Sequence, residues 1–375
     1  MKILMATPFF NNLGGSELET IQTANVIAGF SHVKKIYLFS PDLDLEFSKD
    51  LIINPKIFFY TYPAFFKKTL LRNLQKKIAP RWKYKGLILE RWFWHFLFKK
   101  GISHVYVLTK SSTDYYFPIV DSFKNREKIC VKYTTIFYAE FHPQKKKLLN
   151  SIKYNIVTSE KQKFFFQNTL DIPHTVVQEV IINNEEEAFK RKISNHFNYD
   201  FGILARFSEE KQLEHAIEVI RLLKEKGKLR KMIIRGDGVK TYYWKLFDLV
   251  KEYNLQDLIT LQFQPVVQDE IFDYFDLFSC FLITSKYEGG PNVALELLAA
   301  GKPMISYKVG AMPDRLKDFQ ELLAEDVGEM AEKALKVLDL STESYYNLCV
   351  NLRELYTKKM SNKPTVDFLR NFLNN

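Results

Sequence analysis

At 375 residues the chain has room for two or three domains, and 46% apolar with 26% charged residues is a globular composition that argues against general disorder. Cys130, Cys280 and Cys349 share no close spacing, so neither a disulfide framework nor a zinc site is expected, and they read as buried thiols of a reducing compartment. The net charge of +10 leaves nucleic acid, an anionic membrane and phosphorylated small molecules as candidate charged partners.

The opening stretch MKILMATPFF carries one lysine and a very short apolar run, and it reads as a first β-strand in preference to a signal peptide. A helix is expected around Glu17–Ala28, followed by the strand VKKIYLFS. Between Phe65 and Gly101 eleven Lys or Arg stand against the single acid Glu90, interleaved with Trp82, Trp92, Trp94 and several Phe. Cations mixed with indoles suit an anionic bilayer surface. A helix pair with a basic solvated face and an aromatic core face is the alternative. Nucleic acid is not expected, because no recognisable binding motif accompanies the patch.

Strand-like HVYVLT, KICVKYT and YNIVTS come next, the last leading into helical EKQKFFFQNTL. The polar stretch Ile182–Asp200 then breaks the periodicity and is expected to be an interdomain linker. A second series starts beyond it. FGILARFS precedes a helix with Leu213, Ala216, Ile217, Ile220 and Leu223 on one face, and KMIIRGDG, LITLQF, SCFLITS and PMISY follow with helical stretches between them. Alternating strands and helices predict parallel sheets built from βαβ units. The expected fold class is α/β: two Rossmann-like domains at 1–185 and 186–357, their strand ends turned to a shared cleft, with a last helix at 358–375 packing back on the first. No window reaches 18 uncharged apolar residues, so no membrane span is expected and the cytoplasm is the default location.

The stretch SKYEGGPNVALELLAAGKP, Ser285 to Pro303, carries the chemistry. Its strand SCFLITS ends in the loop KYEGGP, and a helix opens with Asn292 as the expected N-cap and stops at Gly301 and Pro303. Glycines and a positive helix end make an anion site, most naturally for phosphate. Glu296, one turn in, is placed to accept both hydrogen bonds of a ribose diol, and Glu288 to face the group beyond the phosphate.

With its neighbours this stretch resembles the E-x7-E signature of family 4 retaining glycosyltransferases, which have the two-domain GT-B fold. Glu288, Gly289, Pro291, Asn292, Glu296, Gly301, Lys302 and Pro303 match, while Gly290 replaces the usual aromatic and suggests a more flexible loop. ILARFSEEKQ is similar to the family's Arg–Lys motif, with Gln212 where glycine is usual; NNLGGSELE to its N-terminal G-G-x-E; and IIRGDG to its strand followed by G-x-G.

The resemblance implies catalytic roles for Glu288, Arg206 and Lys211, the two cations offsetting diphosphate charge in place of a metal ion. It implies substrate binding by Gly14, Gly15, Glu17, Gly236, Gly289, Gly290, Pro291, Asn292, Val293 and Glu296. The histidine that many members carry after a mid-domain strand is missing from ICVKYTT. His142 is the nearest substitute, a solvated loop histidine being the other reading, and Tyr133, Thr135 or Glu140 are further candidates.

The implied reaction moves a sugar from a nucleotide diphosphate-sugar to an acceptor hydroxyl with retention, by a front-face route without metal or other cofactor. The implied setting is a bacterial cell-surface glycan, with a lipid-linked or lipopolysaccharide acceptor reached at the inner face of the plasma membrane. A nucleotide-sugar epimerase of the same fold and a non-catalytic sugar-nucleotide-binding protein are the alternatives. An NAD-dependent oxidoreductase would need a full G-x-G-x-x-G opening a helix.

Overall fold

A computed structural model of the chain describes residues 1–11, 14–45, 53–64, 88–194 and 196–374. Residues 65–87, with most of the cations of the basic aromatic stretch, lie outside the described residues. The chain forms two compact units, Met1–Ile181 with Asn362–Asn375, and Ile182–Ser361.

In the first unit the described residues form a parallel sheet of seven strands: β1 (Lys2–Ala6), β2 (Lys35–Phe39), β3 (Ile57–Tyr60), β4 (His104–Lys110), β5 (Ile129–Thr135), β6 (Tyr154–Val157) and β7 (Thr175–Val177). Their order is β3-β2-β1-β4-β5-β6-β7. Successive side chains leave opposite faces of a strand, so near-continuous apolar runs fill two cores. Leu4, Ala6, Val105, Val107, Ile129 and Val131 serve one core, and Ile3, Met5, Tyr106, Leu108 and Cys130 the other. The last helix, Asn362–Asn374, closes the second core with Leu369, Phe372 and Leu373; the Phe372 ring lies 5.2 Å from His104 and 5.6 Å from Tyr154.

The second unit holds a parallel sheet of six strands in the order β10-β9-β8-β11-β12-β13. They are β8 (Tyr199–Leu204), β9 (Met232–Gly236), β10 (Ile259–Phe263), β11 (Phe278–Ile283), β12 (Met304–Tyr307) and β13 (Leu323–Ala324). The helix Leu213–Glu225 buries Leu213, Ala216, Ile217, Ile220 and Leu223, the face set by the 3, 4 spacing. Strand order reverses direction between β8 and β11, so the chain leaves their carboxyl ends toward opposite sides. Such a switch point is where open α/β sheets hold ligands.

The stretch 182–200 is not a linker. Its acidic run forms the helix Glu185–Lys190, and Arg191 behind it bonds Asp273 at 2.6 Å, Glu187 at 2.7 Å and Asp276 at 3.2 Å. Tyr356 Oη donates to Glu185 at 2.7 Å, and an Arg353 guanidinium N–H donates to the Arg191 carbonyl at 3.0 Å. These bonds fasten the segment to the second unit, which therefore starts at Ile182 rather than 186 and runs to Ser361 rather than 357.

Candidate functional site

The loops after β8 and β11, on either side of the switch point, bring sequence-distant charges together. Lys211 Nζ donates to Glu288 Oε1 at 2.5 Å, across 77 positions of chain. Both side chains are largely shielded. The loops are tied by the Lys286 amide on the Glu210 carbonyl at 2.8 Å and by Thr284 Oγ1 on the Lys211 carbonyl at 2.7 Å. Arg206 does not join the pair: it is half exposed and bonds Glu210, four residues along, at 3.3 Å.

Lys211 is aimed by a backbone that sequence pattern does not announce. Gln212 occupies the left-handed region at φ 45°, ψ 48°, where glycine is the low-cost residue. Its side chain lies 3.5 Å from His215 Nε2, and His215 Nδ1 is 2.9 Å from Tyr307 Oη. Gln212 thus holds a left-handed conformation with its side-chain amide set against His215.

Glu288 lies in the loop that leads into the helix Asn292–Ala300. Asn292 is the first helical residue, and not the N-cap: that position falls to Pro291, with φ −57° and ψ 122°, because the proline ring fixes φ while leaving ψ extended. Gly301 closes the helix at φ 69°, the left-handed stop read from the sequence. The first intrahelical bond runs from Ala294 N–H to the Pro291 carbonyl at 3.2 Å, so the helix presents its positive end beside Gly289 and Gly290.

Glu296 sits on this helix with 7% of its surface exposed. No hydrogen bond or ion pair reaches its carboxyl among the described residues, and burial alone pushes its pKa up to about 7. A structural glutamate held this deep would ordinarily have a cation or donor beside it. Lys302, nearby in sequence, shows the contrast. It is also buried, which pulls it down to about 8, yet its ammonium bonds the Phe278 carbonyl at 2.8 Å.

Gly290 is packed, which corrects the expectation of a more flexible loop. A β-carbon there would lie 2.8 Å from Arg315 Nη2 and 3.3 Å from Ala311 Cβ. Gly310 approaches from the loop after β12 at φ 52°, and a β-carbon on it would lie 2.4 Å from the Gly289 carbonyl oxygen and 2.7 Å from that of Glu288. Arg315 is 2% exposed and donates from Nη1 to the Pro291 carbonyl at 2.7 Å. Neither Gly310 nor Arg315 was singled out from the sequence.

Gly236 and Gly238 serve the sheet. A β-carbon on Gly236 would lie 1.9 Å from the Ala205 carbonyl oxygen, and Gly238, at φ 127°, bridges to Phe207. In the first unit Gly14 caps the helix Gly15–Gly29 in an extended conformation, with Glu17 buried in its first turn. His142 caps the helix Pro143–Asn150, its Nδ1 accepting from the Gln144 amide at 3.3 Å. Tyr133 is buried with its hydroxyl 3.1 Å from that of Tyr116. Lys132 is buried beside Glu19 at 2.8 Å and donates to the Glu179 carbonyl at 3.0 Å, a pairing that no local motif marks.

Residues 184–357 match the family model Glycosyl transferases group 1. Among curated proteins, the amylovoran biosynthesis glycosyltransferase AmsK of Erwinia amylovora is 31% identical over 142 residues, which are 36% of this chain and 34% of AmsK. The matched stretch spans about a third of the length of the curated relatives. Among solved structures, S. aureus TarM in complex with fondaparinux, α-GlcNAc-glycerol and UDP aligns over all of both chains at TM-score 0.73 and 14% identity. WaaG, a glycosyltransferase involved in lipopolysaccharide biosynthesis, aligns over 98% of this chain and 99% of its own at TM-score 0.64 and 12% identity. At these identities the solved structures speak for the fold. Residues 184–357 match the group 1 glycosyl transferase model, in a chain that has the two-domain GT-B fold.

Proposed function

We propose that the protein is a retaining glycosyltransferase of the E-x7-E kind, moving a hexose from a nucleotide diphosphate-sugar to a hydroxyl of a cell-surface glycan. The observation that carries this reading is Glu296: a buried carboxyl without a partner among the described residues, inside the helix whose positive end adjoins the Lys211–Glu288 pair. Its two oxygens suit the two hydroxyls of a ribose, and the helix start suits the diphosphate. Glu288 then accepts hydrogen bonds from sugar hydroxyls.

Binding a diphosphate gives Lys211 a stronger anion than Glu288, so the lysine transfers to the phosphate and Glu288 turns to the sugar. In the reaction the acceptor oxygen bonds to the anomeric carbon and the bond from that carbon to the β-phosphate oxygen breaks, its electron pair leaving with the phosphate. The acceptor proton passes to a β-phosphate oxygen on the same face. Lys211, and Arg206 once it leaves Glu210, offset the growing charge, and this is why no metal ion is proposed. The donor-side set proposed in the second unit comprises Gly289, Gly290, Pro291, Asn292 and Val293, with Gly236 as a residue bordering the base.

The acceptor is proposed to be lipid-linked, at the cytoplasmic face of the plasma membrane, to which the protein attaches peripherally. The support is the helix Ile88–Phe98, which buries Trp94 and Leu97 while Ile88, Trp92 and Phe96, spaced four apart, are 73%, 66% and 56% exposed. Arg91, Lys99 and Lys100 flank that stripe. No helix of the described residues is long and apolar enough to cross a membrane.

The test is release of nucleoside diphosphate from UDP-, GDP- and ADP-sugars with and without lipid-linked acceptor, after a thermal-shift panel has picked the donor. Acceptor-dependent release in the presence of a chelator, with the anomeric configuration kept in the product, is expected. Acceptor-independent conversion of the sugar would make the protein an epimerase instead.

A further inference from the structure

We infer that Arg315 is a positioning residue for the donor loop, and that Gly290 is the space it needs; this rests on the proposed donor site. Three observations converge on the turn between Glu288 and Pro291. The Arg315 guanidinium, 2% exposed, donates to the Pro291 carbonyl at 2.7 Å, the same oxygen that takes the first amide of the helix. Its other terminal nitrogen fills the position a side chain at 290 would take, 2.8 Å from the ideal β-carbon. Gly310, five residues before Arg315, presses on the carbonyls of Glu288 and Gly289.

A buried guanidinium is a costly group to place, and it is tolerated where its fork of donors meets fixed oxygens. Here the fixed oxygen belongs to the peptide that joins the sugar-facing acid to the anion-facing helix end. Holding that carbonyl fixes the Pro291–Asn292 peptide, where the turn carrying Glu288 enters the helix, while Nη2 packs against Gly290. An aromatic side chain at 290 and an arginine at 315 would compete for one volume. The glycine and the arginine are therefore two halves of one device, and the arginine takes over the bracing an aromatic would give.

The test is a double-mutant cycle on the full chain with Arg315→Ala, Arg315→Lys, Gly290→Ala and Gly290→Ala with Arg315→Ala. Amide exchange is read across 286–294, and UDP, GDP and ADP affinities by calorimetry at matched folded fraction. Expected are exchange of the turn amides faster by about tenfold in Arg315→Ala and in Gly290→Ala, and partial rescue by Arg315→Lys, with the first-unit amides unmoved. Gly290→Ala is expected to add nothing once Arg315 is alanine. The diphosphate that the wild type binds should weaken by about tenfold in the same two single variants.

Unchanged turn exchange in Arg315→Ala, or strictly additive effects of the two substitutions, overturns the inference. Faster exchange with unchanged diphosphate affinity overturns it as well, since the turn would then not serve the ligand. A wild type that binds none of the three nucleotides fails the functional reading. Exchange and the cycle still decide whether Arg315 holds the turn.

Discussion

Replacing Glu296 with glutamine tests the donor site through the free energy of an empty carboxyl. In the folded chain burial holds this group's pKa near 7, against the ordinary 4.5 that the unfolded chain restores. Between those values unfolding releases a proton, so stability falls as pH rises, and the loss is complete above about pH 8. Going from pH 5 to pH 8, this one group removes about 2.5 kcal/mol from the second unit.

Glutamine has the same shape and does not titrate, so the variant should lack that slope. For a unit of this size the wild-type melting temperature should drop by about 5–10 °C more than the variant's between the two pH values. Scanning calorimetry of the full chain without ligand reads this difference. Nucleotide binding should move the opposite way. Ribose hydroxyls donate to the ionised carboxylate, so affinity should rise through pH 7 in the wild type and stay weak and flat in the variant. Equal pH slopes in the two proteins would refute the reasoning, because Glu296 would then be solvated or paired in the folded state.

Glu288→Gln keeps an oxygen for Lys211 and should fold normally, yet lower turnover by about a hundredfold or more because the sugar loses a charged acceptor; steady-state kinetics with the donor from the thermal-shift panel checks it. Gln212→Gly relieves a left-handed residue and should raise stability by about 1 kcal/mol in denaturant titration. Gly310→Ala meets two carbonyl oxygens and a positive φ at once; it should cost about 2 kcal/mol or more and abolish nucleotide binding in calorimetry. Trp92→Ala with Phe96→Ala removes an exposed stripe, so melting should hold while sedimentation with anionic vesicles at low salt is lost; equal sedimentation would remove the stripe from the membrane reading.

The parallel strands were legible because each is a short apolar run bounded by turn residues, and the helix Leu213–Glu225 because its spacing leaves one face dry. The loop–helix at Ser285–Pro303 was legible because glycine, proline and two acids mark it locally. What escaped depends on contacts across the chain. The strands β7 and β13 are three and two residues long, too short to show a period. The stretch 182–200 reads as polar linker until Arg191 finds carboxylates some 80 positions away. Arg315 looks like any surface arginine in MPDRL, and a sequence does not reveal that residue 290 has no room for a β-carbon. The Lys132–Glu19 pair likewise joins a strand to a helix 113 positions earlier, and neither residue carries a local mark.

The helix Asn362–Asn374 has a consequence for how the protein is made. It supplies Leu369, Phe372 and Leu373 to a core otherwise built from the first 181 residues. At a ribosomal pace of about 5–20 residues per second, roughly 10–40 s pass while the intervening 180 residues of the second unit emerge. For that interval the first unit waits with one core open along Ile3, Tyr106 and Tyr154, while the second unit has all its own residues in hand. The later-made unit can therefore finish folding first, and chaperone demand should concentrate on the half of the protein that the ribosome produces earliest.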